Sequence, residues 1–120
     1  MKNYQRGDVV IIDVPIPATG NVQGGKRPWL IVPNNVGNQF SPTSIVVPMT
    51  TKFKHLEMPT HVVVTWGTLH SSMIACEQVR VVDVTDDWKY ICTLPPEIMR
   101  HVDVALKNAF FYGEGVNDGE

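Results

Sequence analysis

Apolar residues bunch into short runs separated by polar, turn-forming segments, which is the pattern of a chain built mostly from β-strands. Val9, Val10, Ile11, Ile12 and Val14 make a β-branched run after Asp8, stopped by Pro15 and Pro17, and predict a first strand over 8–15. Residues 16–26, with Pro17, Gly20, Asn21, Gly24 and Gly25, read as a long polar loop able to fold over a ligand. Trp29 to Val32 predicts a second strand, Asn34 to Ser41 a turn or one short helical turn, and Ser44 to Thr51 a third strand. After the connection Lys52 to Pro59, three more strands are expected over 60–65, 72–76 and 79–85, six in all.

From Pro95 and Pro96 onward the period changes. Ile98, Val102, Ala105, Leu106, Ala109 and Phe110 recur three or four apart, the spacing of an amphipathic helix with a proline at its first position. Asp103 and Lys107 are spaced for a surface pair, and Gly113 is a natural stop. Strands followed by one helix give a mainly β fold, a compact barrel with a C-terminal helix packed on it. Residues 1–112 are expected to be a single domain and 113–120 a flexible tail.

The 43% apolar and 18% charged composition describes an ordinary globule, with apolar runs too short to span a membrane. Asp8 and Asp13 interrupt the run that a signal peptide would need, so a cytoplasmic location is expected. Cys76 and Cys92 are too few for a disulfide framework, and His55, His61, His70 and His101 lack ligand spacing. Metal-free chemistry, if any, is implied, and no cofactor is expected.

Charge distribution changes the picture more than composition does. Val14 to Leu56 contains no Asp or Glu yet holds Lys26, Arg27, Lys52 and Lys54, a local +4. Residues 57–120 carry −6 and residues 1–13 are neutral, so the overall −2 hides a cationic surface. Concentrated Lys and Arg bind phosphate backbones, which makes a nucleic acid the first partner to consider. A solvated basic face without a ligand is the alternative.

Gly24, Gly25, Lys26, Arg27 and Pro28 place two flexible residues ahead of two cations at the mouth of a strand, where amides and a guanidinium can approach a phosphate together. Pro48, Met49, Thr50 and Thr51 end the neighbouring strand, and alternation can point a threonine hydroxyl at the same rim. Alternatively, Arg27 pairs with a surface acid and Thr50 merely fills a strand end.

The wording of the chain is more specific than these patterns. Arg6-Gly7-Asp8-Val9, Gln23-Gly24-Gly25, Arg27-Pro28, Asn34-Asn35-Val36-Gly37-Asn38 and Ser41-Pro42-Thr43 resemble the MazF/PemK family of toxin endoribonucleases. So do Leu56, Pro59-Thr60-His61-Val62, Glu77-Gln78-Val79-Arg80 and the helix from Leu94 to Leu106, in the same order and spacing. The resemblance implies an SH3-like small β-barrel of the MazF/PemK/CcdB type, acting as a homodimer on single-stranded RNA without a metal. It implies cleavage to a 2′,3′-cyclic phosphate and a 5′-hydroxyl, inhibition by a cognate antitoxin with an acidic segment, and catalysis by Arg27 and Thr50.

RNA itself supplies the 2′-OH nucleophile, so the enzyme need only align it, stabilise charge and manage two protons. For RNA binding the candidates are Gln23, Gly24, Gly25 and Lys26 in the first loop, Asn38, Gln39, Phe40 and Ser41 in the turn, and Thr51, Lys52 and Lys54 after the third strand. Neither a guanidinium nor a threonine is a good base near neutral pH, and no general base is assigned.

Two positions depart from the family pattern. Val22 stands where an acid often precedes the Gln-Gly-Gly motif, and Ala75 and Glu77 stand where the PemK branch uses Arg and Asp, which sets the chain with MazF. His61 reads as a strand residue satisfied by hydrogen bonds. The rival from another class is a gyrase poison of the CcdB type, which acts by protein contact. It depends on a Trp-Gly-Ile end, whereas this chain finishes Asn117-Asp118-Gly119-Glu120. An inactive SH3-like binding module is a third reading, against which Arg27 and Thr50 speak.

Overall fold

The β-branched run after Asp8 forms strand β1 (Asp8–Val14), and it is apolar at nearly every position because both of its faces are covered. The computed structural model describes residues 3–16 and 23–111. The elements that follow are β2 (Gly25–Ile31), the short helix α1 (Asn35–Phe40), β3 (Thr43–Thr50), β4 (His61–Val64), β5 (Ser72–Ala75), β6 (Arg80–Asp83), β7 (Lys89–Thr93) and the helix α2 (Pro96–Phe111). The first-loop expectation for residues 17–22, the Val22 position and the tail expected over 113–120 lie outside the described residues.

All described strand pairs are antiparallel, in the order β4-β5-β3-β2-β1-β7, with β6 joined to the other part of β3. One edge of β3 changes partner along its length: Thr43 to Val46 pair with β6, whereas Met49 and Thr50 pair with β5. Buried Pro48 falls between these two pairings, where its missing N–H leaves no ladder bond unmade. The strand thereby passes from one sheet into the other. The result is an open, barrel-like SH3 arrangement, not a closed cylinder.

Alternation sorts the strand side chains into two cores. Val9, Leu30, Val47, Met49 and Ile74 join Met99, Val102 and Ala105 of α2 on one side. Val10, Ile12, Trp29, Ile31 and Val46 join Tyr4 and Trp88 on the other. Tyr4 stacks at a tilt on Trp88, with ring centroids 5.0 Å apart, and donates its hydroxyl to the Trp88 carbonyl.

Four expectations need correction. β2 begins at Gly25 rather than near Trp29, because Gly25 to Pro28 pair with β1 alone. A seventh strand, β7, lies beside β1, and its extra residue Ile91 makes a bulge opposite Val9 and Val10. Phe110 is 60% exposed, outside the buried face of α2. Asp103 pairs with Arg6, not Lys107.

That last pair explains the Arg6-Gly7-Asp8 wording as a clasp. Arg6 also donates to the Val32 carbonyl, tying the strand entry to α2. Gly7, at φ +93°, passes so near β7 that an added Cβ would sit 3.2 Å from the Leu94 carbonyl oxygen. Buried Asp8 accepts from the Gln5 amide at 2.9 Å and the Thr93 hydroxyl at 2.7 Å. No described helix is long and apolar enough to cross a membrane.

Candidate RNA-cleavage site

The site begins where a ladder stops. Val32 donates to the Ile45 carbonyl at 3.2 Å, and the register runs on through Leu30 opposite Val47 to Trp29 opposite Pro48. Alternation makes Pro28 opposite Met49 the next pair due to exchange hydrogen bonds, and Pro28 has no N–H to give. No further β2–β3 pair forms. Between the two freed strand ends lies a cleft of about 460 Å3, lined by Gln23, Lys26, Arg27, Pro28, Met49, Thr50, Thr51, Lys52, Lys54 and Ser72.

Register explains why Arg27 and Thr50 share this cleft. Continued two residues past Trp29 and Pro48, the frame sets Arg27 level with Thr50, on the face that carries the second core. Arg27 Nε donates to the Gly24 carbonyl at 2.7 Å, and neither terminal guanidinium nitrogen has a protein partner among the described residues. The described ion pairs are Arg6–Asp103, His55–Glu57 and His61–Glu77, so Lys26, Arg27, Lys52 and Lys54 carry no carboxylate partner there. The surface-acid alternative for Arg27 therefore finds no support. The Thr50 hydroxyl oxygen accepts from the Lys52 amide at 3.1 Å, which leaves its proton free to donate into the cleft.

The double glycine serves the backbone path. Gly25 sits at φ +83°, and a Cβ on Gly24 would come within 2.9 Å of the Pro15 carbonyl oxygen. Both residues stand behind the cleft instead of lining it. Asn38, Gln39, Phe40 and Ser41 line a separate pocket of about 230 Å3 with Tyr4, Thr43 and Val84. They lie at the opposite end of β3 from Thr50, about 23 Å away for an eight-residue strand. Asn38 is occupied there, donating to the Pro33 carbonyl at 2.9 Å, while the Phe40 ring is 77% exposed.

The connection carrying Lys52 and Lys54 is anchored from below. His61 faces the Lys54 and His55 carbonyls through Nδ1 at 2.9 and 3.0 Å and the Glu77 carboxylate through Nε2 at 3.0 Å. Buried Thr60 donates to the other Glu77 oxygen at 2.9 Å. Partial burial works to raise the Glu77 carboxyl, yet hydrogen bonds from His61, its own backbone and Thr60 prevail and hold it below the usual carboxylate value. Burial pushes the Cys76 thiol up to about 12, so it is inert. Among the described residues no three His, Cys, Asp or Glu side chains gather as a metal site.

Sequence reasoning missed Ser72, Gln78 and Arg80 as parts of this neighbourhood. Gln78 and Arg80 stand in a stretch that already resembled the family, a signal for closer reading. Ser72, which donates to the His70 carbonyl at 2.7 Å, carries no local signal at all.

An open SH3-like sheet with a C-terminal helix and a cationic, acid-free cleft suits a protein that takes a polyanion such as a nucleic acid, and the family comparison gives the class. Residues 5–110 match the model of the PemK-like, MazF-like toxins of type II toxin–antitoxin systems, and the chain belongs to that family. It is 40% identical over 106 residues to the endoribonuclease EndoA of Bacillus subtilis (strain 168), spanning 86% of this chain and 90% of EndoA. Its fold is like that of MazF from Deinococcus radiodurans, at TM-score 0.75 and 20% identity over 90% of this chain and 96% of that one. A mycobacterial endoribonuclease solved with its cognate antitoxin is similar at TM-score 0.72 and 24% identity, over 88% and 93% of the two chains.

Proposed function

We propose that this protein is the toxin of a type II toxin–antitoxin pair and an endoribonuclease that cuts single-stranded RNA in the Arg27–Thr50 cleft. The observation that carries the reading is the meeting, in a cleft with three lysines, of a guanidinium whose terminal nitrogens have no partner among the described residues and a hydroxyl whose oxygen accepts from the Lys52 amide. The 2′-oxygen attacks the adjacent phosphorus while the bond to the 5′-oxygen breaks. One proton leaves the 2′-OH and one joins the departing oxygen, giving a 2′,3′-cyclic phosphate and a 5′-OH. Arg27 holds the nonbridging oxygens as charge builds on them, and Thr50 donates to the same centre. RNA carries its own nucleophile, so the chemistry requires no metal or cofactor.

Gln23, Lys26, Thr51, Lys52 and Lys54 are positioned to hold the strand, and Gly24 and Gly25, packed against Pro15 and Ile16, shape the backbone that presents them. Asn38, Gln39, Phe40 and Ser41 offer a second contact on a longer RNA, with Phe40 as a stacking surface. An antitoxin with an acidic segment suits the same cationic cleft, and action on cellular RNA implies a cytoplasmic protein. Exposed Ile45 and Val81 face one another across β3 and β6, an apolar patch suited to a second copy and hence to a homodimer.

The test is incubation of purified protein with mixed-sequence RNA in EDTA, followed by analysis of the fragment ends. Cuts bearing cyclic phosphate are expected. Intact RNA together with inhibited DNA supercoiling would instead point to a gyrase poison, a reading that the family match does not favour.

A further inference from the structure

We infer that Gln78 and Arg80 are positioning residues that act on Arg27 through the main chain of Gln23 and Gly24, an inference resting on the reading of Arg27 as catalytic. The Gln23 amide donates to the Gln78 side-chain oxygen Oε1 at 2.6 Å, and the Gln23 carbonyl accepts from Arg80 Nη1 at 3.5 Å. Both main-chain groups of one residue are thus held from the turn after β5 and from β6. The next carbonyl along, that of Gly24, is the one that accepts from Arg27 Nε.

The relay matters because of what it spans. Gly24 and Gly25 have the widest backbone freedom of any residue type, and Gly25 uses it at φ +83°. A carbonyl flanked by such residues holds no fixed direction unless its neighbours are tied. The bond from Nε fixes rotation of the planar guanidinium, which decides where the two terminal nitrogens point. Register supplies the second tie: Arg80 pairs with Val46, and strand alternation sets it on the sheet face of Arg27 and Thr50. Gln78 and Arg80 are not among the residues lining the cleft, whereas Gln23, which both of them bond, is.

The predicted signature is a loss in turnover with little loss in binding. Gln78→Leu, which removes the acceptor, is expected to lower kcat by about tenfold to a hundredfold with KM nearly unchanged, since small misplacements of a reacting group cost rate. Gln78→Glu keeps an oxygen at the same reach and recovers most of the turnover, which separates positioning from a folding defect. On an Arg27→Ala background, Gln78→Leu is expected to add no further loss. In nuclear magnetic resonance, the Arg27 Nε–H should exchange at least about tenfold faster in Gln78→Leu while core amides stay protected.

Unchanged kcat in Gln78→Leu, or its full additional loss on the Arg27→Ala background, overturns the positioning role alone. Normal cutting by Arg27→Ala overturns the catalytic reading beneath it.

Discussion

In the proposed reaction Arg27 and Thr50 divide one task between a guanidinium and a neutral hydroxyl. The two terminal guanidinium nitrogens of Arg27, without a partner among the described residues, are available to nonbridging oxygens, while Thr50 has one proton to give and an oxygen already bonded to the Lys52 amide. Arg27→Ala and Thr50→Ala are each expected to slow RNA cleavage by about a hundredfold or more, with the melting temperature nearly unchanged, because neither side chain belongs to a core cluster. Single-turnover rates on a defined RNA check this, and near-normal cutting by either variant removes that residue from the site. That the two residues share one cleft was legible in the sequence, because strand alternation points both at the same rim. The Arg6 and Asp103 pairing was not, since nothing local to Asp103 distinguishes a partner 97 positions away from Lys107 one helical turn along.

Between elements, the Glu77 carboxylate is the knot that ties β4 and the β3–β4 connection to the turn after β5. Its folded value lies below the ordinary 4.5, so its stabilisation is complete above that value and drains away as pH falls through the lower, folded one. Glu77→Ala should therefore destabilise the protein by about 1–3 kcal/mol at neutral pH, the cost of stranding the Thr60 and His61 partners. The gap from the parent should narrow below pH 4.5, measured by chemical unfolding across a pH series; a gap that stays constant would remove the carboxylate from the account. Strand existence was readable where β-branched runs are long, as in β1 and β3. β7 escaped because Lys89-Tyr90-Ile91-Cys92-Thr93 carries a bulge residue that spoils its alternation. Asn34 to Ser41 read as a turn or one short helical turn and forms the short helix α1, but only the path of β3 reveals that it sits a strand's length from the cleft.

Across the whole protein, cations gathered in one stretch of the sequence are gathered in one place in the fold. The acid-free stretch delivers Lys26, Arg27, Lys52 and Lys54 to one cleft without a carboxylate partner among the described residues. Replacing Lys52 and Lys54 together by Ala should flatten the dependence of log affinity for single-stranded RNA on log salt by about 1.4, at about 0.7 per neutralised phosphate. Binding titrations from low to high salt read that slope, and an unaltered slope would place both lysines off the RNA. Pro28 gives this surface its opening. An imino nitrogen with no proton to offer acts as a permanent spacer, so the sheet has no means of zipping shut across the substrate seat. The vacancy needs neither a bulky wedge nor stored strain to stay open.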